Sequence, residues 1–72
     1  MLMATKFHFR EGDRVKAQTS TPPIKAGMVG TVLRVFMSAS DTYDVQFDDL
    51  STPRIMHGDQ LTLVKPSERS AS

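Results

Sequence analysis

Apolar and polar residues alternate most cleanly in Thr42-Tyr43-Asp44-Val45-Gln46-Phe47-Asp48. This is the signature of a half-buried strand with Tyr43, Val45 and Phe47 turned inward and Asp44, Gln46 and Asp48 turned to water. Arg14-Val15-Lys16-Ala17 repeats the pattern, with Val15 and Ala17 inward. The longest strand candidate lies between them, in the stretch Ile24 to Met37, where Gly27 and Gly30 fit a tight turn entering a dense β-branched strand, at a place where a side chain would collide with a neighbouring backbone. Its alternation fails part-way. A period of two would put Arg34 on the same face as Val32 and Phe36, so a β-bulge or strong bend is expected near Leu33-Arg34. Arg54-Ile55-Met56-His57 reads as a short fourth strand, Gly58 to Leu61 as a single 3-10 turn, and Thr62-Leu63-Val64 as a closing strand.

The segments between are turn material. Arg10-Glu11-Gly12-Asp13 is a turn in which Gly12 supplies a positive φ, and Gln18 to Pro23 is a polar loop stiffened by two prolines. Ser38 to Asp41 and Asp49 to Pro53 are the other two loops. Residues 1–9 form an N-terminal arm, in which Phe7 and Phe9 carry too much apolar surface to hang free. Residues 10–65 form the folded unit, and residues 66–72 are a polar tail expected to be disordered. The expectation is an all-β chain of five short strands with one 3-10 turn before the last.

The order of these elements gives a resemblance. Gly12-Asp13-Arg14-Val15, then Gly27-Met28-Val29-Gly30-Thr31-Val32, then Tyr43-Asp44-Val45-Gln46-Phe47 and Leu61-Thr62-Leu63-Val64 together resemble a small five-stranded SH3-like barrel. The pattern is similar to the KOW-type barrels of ribosomal proteins and transcription factors. It is also similar to the SH3-like domain of the nitrile hydratase β subunit, and to small accessory subunits of cyanobacterial photosynthetic electron-transfer complexes. Such families share a fold and little else, so the resemblance implies architecture far more than activity. The chain departs from a compact KOW motif in its longer Gly12-to-Gly27 separation, with Pro22-Pro23 inside it. It departs from peptide-binding SH3 domains too. With Tyr43 the lone tyrosine and no tryptophan, it lacks the aromatic groove that PxxP recognition needs.

Composition narrows the function classes. Seventy-two residues make one small domain, and the absence of cysteine removes both disulfides and thiolate-bound metal as staples. No apolar run approaches the roughly 20 residues of a membrane-spanning helix, and the first residues lack the layout of a signal peptide. A cytoplasmic protein is expected. The formal net charge is +1, but it is unevenly spread. Residues 1–40 hold six Lys/Arg against two Asp/Glu, whereas residues 41–60 hold one against five. Pairing of strands from the two halves would cancel this asymmetry across the ladder.

The chemistry-bearing residues form no recognised catalytic or metal motif. His8 and His57 have neither a second histidine at ligand spacing nor a cysteine, and Asp41, Asp44, Asp48 and Asp49 lack the ligand spacing of a calcium loop. Gly27-x-x-Gly30 leads into a strand, so no helix N-terminus awaits a phosphate. A barrel of this size is filled by its own side chains. The expectation is a non-catalytic protein without cofactor or metal. Two roles remain. The first is docking on a larger protein complex or on a second copy of the chain, with Phe36, Met37, Met28 and Met56 as candidate contact residues. The alternative is nucleic-acid binding through Arg14, Lys16, Lys25 and Arg34. That reading is weakened by a pI near 8.2 and by the inward-facing pattern of Tyr43.

Overall fold

A computed structural model describes residues 8–36 and 40–66. Five strands occur in the order β1 (Arg14–Ala17), β2 (Val29–Val35), β3 (Thr42–Phe47), β4 (Arg54–His57) and β5 (Leu61–Lys65), with a 3-10 turn, η1 (Gly58–Gln60), between the last two. All pairings are antiparallel and the spatial order is β4-β3-β2-β1-β5. The all-β expectation holds, as does the 3-10 turn. The edges β4 and β5 do not pair with each other, so the sheet is not closed.

One pair of strand ends at its edges is nevertheless drawn together. Edge strands of a flat five-stranded sheet lie about 19 Å apart, four spacings of roughly 4.8 Å. The four peptide steps from His57 to Leu61 reach at most about 14 Å even fully extended. The short η1 link therefore draws the His57 end of β4 towards the Leu61 end of β5. Two hydrogen bonds hold it in place: Gly58 N–H donates to the Asp41 carbonyl at 2.8 Å, and Gln18 N–H donates to the Gln60 carbonyl at 2.8 Å.

The inner face of the sheet is the core: Phe9, Val15, Ala17, Ile24, Val32, Tyr43, Val45, Phe47, Met56 and Leu61 are all buried. The expected inward residues of β1 and β3 are among them. Phe9 stands edge-on to Tyr43 with ring centroids 5.3 Å apart, so the arm does lay one ring on the core. Phe7 lies outside the described residues.

The expected bulge is present. Val32 pairs with Val45 and Arg34 with Asp44, leaving Leu33 as the extra residue of β2. The shift sends Arg34 to the outer face and brings Val35 opposite the buried Tyr43. A second irregularity falls between Arg14 and Val15 where β1 meets β5, and there Val64 is the extra residue.

Two details differ from the sequence expectation. Gly30 lies within β2 and not in the turn before it, because a Cβ there would sit 2.6 Å from the Gln46 carbonyl oxygen and 2.8 Å from the Phe47 Cα. The backbone collision expected at these glycines is thus found at Gly30, where β3 approaches closely, whereas Gly27 takes φ +96° in the turn. Ile24 is not strand-forming either. It exchanges two backbone hydrogen bonds with Thr21, at 2.8 and 2.9 Å, around the two prolines, and its buried side chain anchors that loop to the core.

Candidate functional site

Register decides which apolar residues reach the surface. In β4, Met56 pairs with Tyr43 and Ile55 with Asp44, so the two neighbours face opposite ways. Met56 is 2% exposed and Ile55 64%. This takes Met56 off the surface and into the core, as a correction to its candidacy as a contact residue. Arg54-Ile55-Met56-His57 alone contains no alternation that ranks one above the other, whereas its partner strand does.

Ile55, Asp44 and the Leu33-Arg34 bulge then lie in one row across β4, β3 and β2 on the outer face. Leu33 is 46% exposed. Arg34 Nη2 lies 3.5 Å from Asp44 Oδ2, and its guanidinium carbon is 5.5 Å from the centroid of the half-buried Phe36 ring. The two exposed apolar residues thus flank an ion pair, which costs less to cover than unpaired charges would. Among the other contact candidates, Met28 is half-buried against the core, and its Sδ accepts a hydrogen bond from Lys25 N–H at 3.1 Å. Met37 lies outside the described residues. Sequence reasoning missed Leu63 and Val64 on the opposite edge, 45% and 52% exposed. Leu63 lies opposite Val15, on the inner face.

Two of the four basic candidates are ion-paired. Arg14 donates from Nη1 to Thr31 Oγ1 at 2.8 Å and to Asp48 Oδ1 at 3.0 Å, and from Nη2 to Asp48 Oδ2 at 2.6 Å. This two-pronged pairing raises the Arg14 pKa and holds the Asp48 carboxyl below the usual carboxylate range. With Arg34 on Asp44, two of the four candidate cations are matched to acids of the second half, as the uneven charge distribution suggested. Lys16 and Lys25 are exposed and have no ion-pair partner among the described residues.

A polar cluster at the start of β3 was also not anticipated. The Tyr43 hydroxyl donates to Asp41 Oδ1 and accepts from His8 N–H at 2.7 Å and Phe9 N–H at 3.2 Å. His8 Nδ1 lies 2.8 Å from Asp41 Oδ2. Asp41 itself has φ +50°, a left-handed conformation that aspartate tolerates better than most residues. Burial, reinforced by the hydrogen bond to Asp41, pushes the Tyr43 phenol up to about 12. At Asp41 burial acts to raise the pKa, but the hydrogen bonds from Tyr43 and His8 outweigh it and hold the carboxyl below its ordinary value. The cluster ties the arm down. His57 Nδ1 lies 3.3 Å from Thr42 Oγ1. Among the described residues, no three His, Cys, Asp or Glu side chains form a group that could hold a metal, and no helix is long and apolar enough to cross a membrane.

Compared with models of known families, with curated proteins and with solved structures, the chain matches none.

Proposed function

We propose that this chain is a small SH3-like barrel acting as a non-catalytic interaction module that docks on a larger protein assembly or on a second copy of itself. The strand order and the short link between β4 and β5 support the barrel reading. The observation that carries the functional reading is the exposure of Ile55 and Leu33 on the outer face, on either side of the Arg34–Asp44 pair. Single exposed apolar residues are ordinary, and the reading rests on two large ones, Ile55 and Leu33, sharing one sheet face. Cytoplasmic residence and an accessory role in a complex are part of the same proposal.

Sedimentation velocity, together with capture from a lysate of the native host, tests it by comparing the wild type with a Leu33→Asp/Ile55→Asp double variant. Self-association or reproducible capture by the wild type, lost in the variant, is the expected result. A wild-type protein that stays monomeric and captures nothing beyond what the variant captures would overturn it.

The KOW-like alternative rests on one observation, the stack of Arg34 on Phe36, which pairs a cation with an aromatic ring on the sheet surface. Arg34 and Arg14 are already matched to carboxylates, which makes this the weaker reading. Titration with mixed single- and double-stranded oligonucleotides at low salt separates the two. Binding that weakens steeply with salt and is lost on Phe36→Ala favours the alternative.

A further inference from the structure

We draw no further inference here: the strongest candidate, the exposed apolar row of Leu33 and Ile55 beside the Arg34–Phe36 stack on the outer face of the sheet, carries nothing beyond the docking role already proposed because nothing in the structure shows what covers it.

Discussion

Gly58 packs directly on the carboxylate of Asp41, so closely that a Cβ at position 58 would overlap it, while the Gly58 N–H donates to the Asp41 carbonyl. The carboxylate cannot easily yield, since Tyr43 and His8 hold it from the other side. Gly58→Ala should therefore break the cluster and destabilise the fold by about 1–3 kcal/mol, the usual cost of stranding buried hydrogen-bonding groups. Urea unfolding of Gly58→Ala and Gly58→Ala/Asp41→Ala measures it. The glycine change should cost clearly less once Asp41 is gone, and an unchanged cost would show that the contact is not the cause.

Tyr43→Phe keeps the ring against Phe9 but removes the oxygen that accepts two arm N–H groups and donates to Asp41. A loss of about 1–3 kcal/mol is expected. Amide exchange at His8 and Phe9 should accelerate while the β2–β3 ladder stays protected. Uniform acceleration would assign the hydroxyl a global role instead.

Tyr43 is the only tyrosine, and there is no tryptophan, so ultraviolet titration of phenolate reads this one side chain. In the folded protein the midpoint should lie near the elevated value of about 12, and in denaturant near the ordinary value of roughly 10. Because the folded pKa is raised, the fold binds the phenolic proton more tightly. Its contribution is complete below pH ~10 and is lost as the pH climbs towards the folded midpoint. Asp41 and Asp48 act in the opposite sense. Their depressed folded pKa values stabilise above the ordinary carboxylate pKa of about 4, and this contribution disappears as the pH falls through the folded values. Thermal melts from pH 2 to 7 should show the acid limb, and Asp41→Asn should flatten part of it.

Neighbouring residues in β4 should respond in contrary ways. Met56→Ala empties a buried site and is expected to cost about 2–5 kcal/mol. Ile55→Thr keeps a β-branched residue at the surface and should stay within about 0.5 kcal/mol of the wild type, while reducing any docking. Denaturation midpoints for the two variants decide the matter, and equal midpoints would contradict the register.

Gly30→Ala should be among the most damaging small changes. The added methyl meets the backbone of Gln46 and Phe47, not a mobile side chain, so β2 and β3 must separate. A cost above about 2 kcal/mol is expected from such overpacking.

The strands with clean alternation were legible in the sequence because one face of each is buried. Val15, Ala17, Tyr43, Val45 and Phe47 all face the core as their spacing implied. The bulge at Leu33 was legible for the same reason, since an arginine in phase with Val32 is an energetic contradiction that only a shift resolves. What stayed hidden depends on pairing. Ile55 and Met56 are adjacent and similarly apolar, and only the pairing of Met56 with Tyr43 separates them. The Asp41–Tyr43–His8 cluster joins residues more than thirty positions apart, and no local pattern encodes that contact. At Gly30 the close approach of a neighbouring backbone was legible but the position inside the strand was not, because glycine serves both flexibility in turns and thinness in strands.

The extra residue in β2 also changes what the gene can lose. In a regular strand the removal of one codon is among the harshest changes, because every side chain beyond the gap swaps faces. Here Val32 points inward and Val35 does too, with Leu33 and Arg34 both accommodated opposite Asp44. Excising Leu33 leaves Val32, Arg34 and Val35 in strict alternation, so the strand keeps its frame and loses only its kink. Position 33 is thus a place where the chain length of this fold can drift by one residue with the inner surface unaltered.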